Sequence, residues 1–187
     1  MDDRSLRIGV LLAAHVIFLS AAALRILRGQ RKHLLRSQGP WFLQYYPPLV
    51  WLPFLVAYFF PLPVDLPMPV RLAGLAIAIA SAVFAAWGMW SLGKSYGIRM
   101  DLFEGHRLVT GGPYRLTRHP MYLGIVSFHV GATMAMESLA LLVATLVYVI
   151  PFTAIRIAAE DRVLAQGFGE EFRAFAGRVS ALVPLRR

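Results

Sequence analysis

Leu108–Gly124 reads LVTGGPYRLTRHPMYLG, and this stretch decides how the rest of the chain is interpreted. It combines a glycine turn, two tyrosines, two arginines and a histidine–proline step, and it leads into a hydrophobic run that extends to about Ile157. Glycine tolerates positive φ angles and proline fixes its own φ, so Thr110–Pro113 predicts a turn. Pro120 suits the first turn of a helix, whose free N–H groups favour an anionic group.

The composition of the whole chain indicates an integral membrane protein. Of its 187 residues, 58% are hydrophobic and 16% are charged, and the mean hydropathy is +0.59. The net charge is +9, but the basic residues cluster at the ends of apolar runs, which is typical of membrane loops and not of a nucleic-acid interface. Because the chain has no cysteine, disulfides and thiolate sites are excluded, and the histidine spacing predicts no metal site.

The apolar runs predict an all-α polytopic membrane protein with about five transmembrane helices. Ile8–Leu27 and Val70–Leu92 have the length of a membrane crossing. Leu49–Pro61 is short and marked by proline, so the second span is irregular or begins earlier. Met121–Ile157 is too long for one crossing and contains Glu137, which predicts a helical hairpin with Glu137 at its outer turn. We interpret the chain as a single domain, 1–187, with three spans in 1–92 and the half that carries the polar motifs in 93–187.

The arginine clusters predict how the chain is oriented. They place the N-terminus outside and the C-terminus and the functional site in the cytoplasm, at the cytoplasmic membrane if the protein is prokaryotic. Apolar residues recur at helical spacing in the tail, which predicts a cytoplasmic amphipathic helix separated from the preceding span by Gly167 and Gly169. The apolar residues of this pattern are Phe168, Phe172, Phe175, Val179 and Leu182.

His15 and His129 lie inside apolar runs, and we interpret both as packing residues and not as ligands. Arg156 and Glu160 are four residues apart and so share one face of a helix. Taken alone, each of these groups fits a snorkelling side chain or a surface ion pair. Their coincidence with the Arg118–Pro120 step on one side of the membrane favours a function.

Two motifs together resemble a known family. GGPYRLTRHPMYLG (Gly111–Gly124) and RIAAEDRVLAQGFGEEFRAF (Arg156–Phe175) are similar to the isoprenylcysteine carboxyl methyltransferases and their bacterial and archaeal relatives, a group that includes phospholipid N-methyltransferases. The resemblance extends from about Leu92 to Pro184, whereas the first three spans match only in hydropathy. It implies an enzyme that transfers a methyl group from S-adenosylmethionine within the membrane. The chain also lacks the GxGxxG fingerprint of a dinucleotide-binding fold.

The same resemblance implies which residues form the site. It assigns catalytic roles to Arg156 and Glu160, with Arg156 holding the acceptor near the sulfonium and Glu160 also contacting the cofactor. Arg99 departs from the family pattern, which has an uncharged polar residue there. The cofactor-binding residues implied are His106, Leu108, Val109, Tyr114, His119, Pro120, Tyr122 and Glu160.

The implied reaction is carboxyl O-methylation of an isoprenylcysteine-like substrate, with membrane lipids and a lipophilic acceptor as the partners. A carboxylate needs no general base, and an arginine can orient it through two parallel hydrogen bonds. The alternatives are methylation of a phospholipid amine or a polyketide-type hydroxyl, a non-catalytic lipid-binding protein, and a reductase-like membrane protein. The sequence does not identify the acceptor.

Overall fold

The computed structural model describes residues 3–27, 34–37, 41–44, 46–60, 62–96, 101–103 and 105–183. Within these residues the chain is mainly helical, as predicted. The helices are α1 (Asp3–Leu27), α2 (Trp41–Gln44), α3 (Tyr46–Leu49), α4 (Leu52–Phe59), α5 (Met68–Leu92), α6 (Pro120–Met136), α7 (Leu139–Ala144), α8 (Ile150–Phe168) and α9 (Glu170–Arg178).

Five apolar helical segments correspond to the five predicted spans. In the described part of the chain, three are long and apolar enough to cross a membrane: Arg4–Leu24, Met68–Ser95 and Leu139–Phe168. Tyr46–Phe59 and Pro120–Met136 are apolar but shorter. These segments are typical of an integral membrane protein, whereas the number of crossings and their orientation stay predictions.

The second segment is irregular, as its prolines predict. α3 ends at Leu49, and α4 begins only at Leu52, with Pro53 in its first turn. Proline lacks an N–H and cannot continue the hydrogen-bond pattern of a helix. The helical hydrogen-bond pattern is therefore interrupted near Val50, whose carbonyl oxygen lies 3.0 Å from Nε2 of the His129 ring.

α6 and α7 form the predicted hairpin, and Glu137 lies at its turn with a φ of 55°. The Ser138 hydroxyl then accepts a hydrogen bond from the Leu141 N–H and caps α7. The Glu137 carboxylate accepts hydrogen bonds from Arg7 at 2.9 Å and from the Leu66 N–H at 3.2 Å. Its side chain thereby joins α1, the loop before α5 and the hairpin turn.

A π-helical turn, Thr145–Val149, connects α7 to α8 without a break. The Ile150 N–H donates to the Thr145 carbonyl oxygen, five residues back. The buried Tyr46 hydroxyl donates to the Val149 carbonyl oxygen at 2.9 Å and lies 2.6 Å from Thr153 Oγ1. α3 is thus fixed against the wide turn.

Small residues bring α5 and α6 into close contact. A Cβ atom on Gly131 would lie only 2.6 Å from the Gly74 carbonyl oxygen and 2.7 Å from the Ala78 nitrogen. Small residues at such positions allow helix backbones to approach closely in membrane proteins. Nearer the start of α6, where the RHP step lies, a Cβ atom on Gly124 would likewise lie 2.9 Å from the Ser81 carbonyl oxygen.

The structure adds one short pair of strands to the predicted all-α architecture. Leu34–Ser37 (β1) pairs in antiparallel fashion with Asp101–Phe103 (β2), so the fold is helical with one short pair of strands. The all-α prediction omitted the pair because strands of three or four residues carry too few alternations to be recognised. Arg99 lies outside the described residues.

The tail also differs from the prediction. Gly167 remains inside α8, and the break comes at Gly169, whose φ is 54°. α9 ends at Arg178. The spacing of Val179 and Leu182 predicted that the helix would include them, but both lie beyond its end. The tail carbonyl oxygens beyond α9 bind the RHP step, and these hydrogen bonds replace further helical ones.

Candidate active site

The turn before α6 is built by local sequence. Gly112 has a φ of 59°, and Gly112–Arg115 form a 3-10 turn that buries Tyr114. The Tyr114 hydroxyl donates to the Gly88 carbonyl oxygen of α5 at 3.4 Å. Burial and the neighbouring Glu160 carboxylate raise the pKa of this hydroxyl well above its ordinary value, so it stays protonated.

The RHP step fastens the tail to the membrane helices. The backbone N–H groups of Arg118 and His119 donate to the carbonyl oxygens of Ser180 and Ala181, at 2.9 and 3.1 Å. The Thr117 hydroxyl donates to the same Ala181 oxygen at 2.6 Å. These backbone and side-chain hydrogen bonds therefore hold the segment after α9 beside the N-terminus of α6.

Asp161 on α8 joins both polar side chains of this step. Its carboxylate accepts hydrogen bonds from Arg118 at 2.8 Å and from His119 Nε2 at 2.7 Å. Since a carboxylate is the acceptor, Nε2 carries a proton. Arg118 also donates to the carbonyl oxygens of Ala176 and Val179, so one guanidinium links α8 to the tail.

The Tyr122 hydroxyl lies between the two residues to which catalytic roles are assigned. It donates to Glu160 at 2.7 Å and accepts from Arg156 Nε at 2.6 Å. Arg156 is only 2% exposed, and its Nη1 donates to the Leu43 carbonyl oxygen of α2. Arg156 and Glu160 lie on one face of α8, as predicted, and the Tyr122 phenol from α6 bridges them.

One pocket collects most of the predicted cofactor residues. Its walls come from α5, the 105–119 loop, α6 and α8, and the α9 side chains Phe172 and Phe175 close it on the tail side. Pro120 is fully buried at the start of α6, and Arg156 lies behind Tyr122, so neither is among the pocket's lining residues. The predicted residues that line it are His106, Leu108, Val109, Tyr114, His119, Tyr122 and Glu160.

Sequence reasoning placed Arg118 in the RHP step without giving it a role, and it did not assign Asp161, Phe172 or Phe175 to the site. Asp161 directly follows Glu160, so the sequence predicts its position at the membrane edge. The sequence does not predict its partners, which lie about 40 residues earlier in the chain. The phenylalanines were recognised as one helix face without a binding partner. Within the described residues no group of three histidine, aspartate or glutamate side chains could hold a metal ion.

Sequence comparison gives this geometry a family. Residues 70–171, more than half of the chain, match the phospholipid methyltransferase family. Protein-S-isoprenylcysteine O-methyltransferase B of Arabidopsis thaliana is 33% identical over 113 residues, which cover 59% of this chain and 57% of that protein. Methanethiol S-methyltransferase 1 of Bradyrhizobium diazoefficiens is 31% identical over 128 residues, 60% of this chain and 44% of that protein. The chain thus aligns with about half the length of these relatives.

Comparison with solved structures finds a protein of the same fold as this chain. The solved structure of the eukaryotic intramembrane Ras methyltransferase, an isoprenylcysteine carboxyl methyltransferase, superimposes with a TM-score of 0.71 at 21% identity. The match covers 100% of this chain and 69% of that one. The structural match shows the fold, and the family match over residues 70–171 shows that this chain belongs to the phospholipid methyltransferase family.

Proposed function

We propose that this protein is a membrane methyltransferase that uses S-adenosylmethionine and acts on a lipophilic acceptor. The observation that carries the proposal is the pocket beside Tyr122, which combines a carboxylate, a histidine and apolar walls. Glu160 can pair with the ammonium group of such a cofactor, whose charge would otherwise be poorly solvated at the membrane edge. Leu108, Val109 and Phe172 offer apolar surface for an adenosine group.

When bound, this cofactor supplies a methyl group already activated on a sulfonium, and the electron pair of the broken S–C bond stays on sulfur. The protein chiefly has to align the reacting groups and exclude water. Glu160 is held through Tyr122 by Arg156, so the anionic group has a fixed position. Phe172 and Phe175 cover the pocket and exclude water from the tail side.

We propose a carboxylate as the acceptor, as in an isoprenylcysteine-like substrate. Arg156 is the cation that would orient it, and the Leu43 carbonyl oxygen occupies Nη1 in this structure. An acceptor carboxylate would take the place of that carbonyl oxygen, which requires α2 to move. Arg156→Ala should abolish turnover of a carboxylate acceptor while largely sparing cofactor binding.

A thiol acceptor is a second candidate, and the contact between Arg156 and Leu43 favours it. If Arg156 stays on Leu43, the site has no free cation from this residue for a carboxylate. A thiol must lose its proton as it accepts a methyl group, and the Glu160 carboxylate, which accepts a hydrogen bond from Tyr122, would take that proton. The similarity to a methanethiol S-methyltransferase is consistent with this chemistry.

Titration calorimetry with S-adenosylhomocysteine tests the proposal. We expect micromolar binding by the wild type and a large loss of affinity in His119→Ala and Glu160→Ala. Glu170→Ala, an exposed residue on α9, should bind like the wild type. No binding by a folded wild type would contradict the proposal and favour the lipid-binding or reductase-like alternatives.

Methyl transfer to matched acceptors then identifies the substrate class. Radiolabelled methyl transfer is measured in vesicles with S-farnesylcysteine, a long-chain thiol and phosphatidylethanolamine. Turnover of S-farnesylcysteine that is lost in Arg156→Ala supports the carboxylate acceptor. Turnover of the thiol, retained in Arg156→Ala, would replace it with the second candidate.

A further inference from the structure

A groove lies between α1 and α4, on a face that is separate from the candidate active site. It is lined by apolar and aromatic side chains, including Leu12, Leu19, Trp51, Leu55 and Tyr58, and by His15. Leu12, Leu55 and Tyr58 are more than half exposed, so in a bilayer the groove would open towards lipid. We refer to it as the α1–α4 groove.

A packed layer separates this groove from the Tyr122 pocket. Tyr46, Val50, Tyr122 and Ile125 form one buried cluster, and Trp51 packs against it. Trp51 thus has one side in that cluster and another in the groove. A ligand of the groove would therefore not be in contact with the site of methyl transfer.

Aromatic rings fix the orientation of the His15 ring. The rings of Phe54, Phe128 and Trp51 contact it edge to face, with centroid distances of 4.5, 4.6 and 4.9 Å. Such arrangements restrain an aromatic ring in addition to burying it. The predicted packing role of His15 agrees with these contacts, but it leaves one ring nitrogen unaccounted for.

The hydrogen bond of His15 determines which nitrogen can bind a ligand. Nδ1 lies 2.9 Å from the Leu11 carbonyl oxygen, which can only accept, so Nδ1 carries the proton. In the neutral ring Nε2 is then a hydrogen-bond acceptor. Across the described parts of the chain it has no hydrogen-bond partner, although the ring lines the groove.

The depth of His15 restricts what its partner can be. The residue lies midway along α1, roughly 18 Å from either end. An ammonium group at that depth would be costly, and an ionised carboxylate has no proton to donate. A neutral hydroxyl carried on a hydrocarbon chain satisfies both the depth and the need for a donor.

We propose that the α1–α4 groove binds a neutral lipid whose hydroxyl group lies within its hydrocarbon chain and donates a hydrogen bond to His15 Nε2. The apolar walls contact the chain, and the imidazole selects the hydroxyl. Of the other lining side chains only Trp51 and Tyr58 carry a hydrogen-bonding group, so the mainly apolar lining favours a hydroxyl on a hydrocarbon chain over an isolated water molecule, which needs two to four polar partners when buried.

The test uses two lipids that differ only in the hydroxyl, methyl ricinoleate and methyl oleate. Binding to purified protein in detergent is measured by native mass spectrometry with both lipids in competition. We expect the wild type to prefer methyl ricinoleate by roughly three- to tenfold, as one hydrogen bond allows. His15→Phe keeps a ring among the aromatic side chains and should lose this preference while still binding methyl oleate.

A second variant tests the location without changing His15. Leu55→Trp adds bulk at an exposed position of the groove and should weaken binding of both lipids. Equal binding of the two lipids by the wild type, or a preference that survives in His15→Phe, would overturn the proposal. The proposal would also be overturned if the Leu55→Trp variant bound both lipids as tightly as the wild type does. Binding of S-adenosylhomocysteine is measured in parallel and should be unchanged in both variants. This measurement distinguishes a failure of the groove proposal from a failure of the methyltransferase proposal.

Discussion

At the scale of single residues, the Tyr122 hydroxyl forms hydrogen bonds with two side chains of opposite charge. It donates to Glu160 and accepts from Arg156, so one phenol orients both side chains. The ring itself contacts His119, with a centroid distance of 5.6 Å. Tyr122 therefore affects every charged group that the proposed function uses.

Tyr122→Phe removes this hydroxyl and leaves the ring in place. Glu160 and Arg156 then lose their common partner, and a small displacement of reacting groups can reduce the rate about a hundredfold. We expect kcat/KM for methyl transfer to fall by roughly 10- to 100-fold, measured with the acceptor that the vesicle assay selects.

Tyr148→Phe provides the matched control for this experiment. Its hydroxyl donates at 3.3 Å to the Leu49 carbonyl oxygen, which is a weak and exposed contact. This variant should retain the wild-type rate. If Tyr122→Phe is also as active as the wild type, the hydroxyl has no role in holding Glu160.

At the scale of elements, Asp161 connects α8 to the tail through Arg118. Asp161→Asn removes the charge that both Arg118 and His119 bind. Hydrogen bonds to charged groups contribute about 1.5–3 kcal/mol, so we expect a loss of that order in the stability of the docked tail. Faster hydrogen–deuterium exchange in α9 would measure it.

Glu170→Gln is the comparison for Asp161→Asn. Glu170 also forms an ion pair with an arginine, Arg173, but both side chains are exposed. Exposed ion pairs contribute little, so α9 exchange should not change. Equal exchange in both variants would mean that Asp161 does not hold the tail.

The contact between α5 and α6 gives a second prediction at this scale. Gly131→Ala would place a Cβ within 2.7 Å of two backbone atoms of α5, which cannot move aside as a flexible side chain could. Overpacking of this kind costs about 1–3 kcal/mol. We expect a lower midpoint of thermal unfolding in detergent.

Gly177→Ala is the matched control, since a Cβ there would have no neighbour within 4 Å. Alanine is favoured over glycine in a helix, so this variant should unfold at the same temperature or a slightly higher one. A Gly131→Ala variant as stable as the wild type would show that α5 and α6 can separate at little cost.

At the scale of the whole molecule, an ionic cluster lies at the end opposite to the candidate site. Arg7 is 4% exposed and binds both Glu137 and the Ala135 carbonyl oxygen, and Arg71 lies 3.5 Å from Glu137. Burial opposes ionisation of Glu137, but the hydrogen bonds from Arg7 and Leu66 and the two arginine charges outweigh it. The pKa of Glu137 is therefore lowered in the folded protein.

A lowered pKa makes this cluster sensitive to acid. The stabilisation from Glu137 is fully present above its ordinary pKa of 4.5 and is lost as the pH falls towards its lower value in the folded state. Glu137→Gln should reduce the unfolding temperature at neutral pH and reduce it less at acidic pH. Thermal unfolding at several pH values measures the difference, and an equal effect at every pH would contradict the assignment.

The sequence predicted the parts of the molecule that depend on local patterns. Apolar runs, prolines and Glu137 were sufficient for the helices and the hairpin, because bilayer thickness and buried charge act on neighbouring residues. The family resemblance, and not periodicity, singled out His119, Tyr122 and Glu160. Their roles stay predictions, although the structure places them around one pocket.

The parts that could not be predicted depend on contacts between distant residues. The ion pair of Arg118 with Asp161 joins positions 43 residues apart, and the bond of Arg156 to Leu43 joins positions 113 apart. No local pattern records such a pairing. The end of α9 at Arg178 has the same cause, since the hydrogen bonds that stop the helix come from Arg118 and His119.

The wide turn at Thr145–Val149 has a consequence for the phase of the helix that follows. An α-helix turns by about 100° per residue, so one additional residue rotates everything beyond it by that angle. Val147 is 70% exposed within this turn. The wide turn absorbs this additional residue, so deleting Val147 would close the turn and leave Arg156, Glu160 and Asp161 facing Tyr122 and His119. An extra residue inserted into the regular part of α8 before Arg156 would instead swing all three away together. The chemistry of the pocket thus depends on the phase of the regular helix that leads to Arg156.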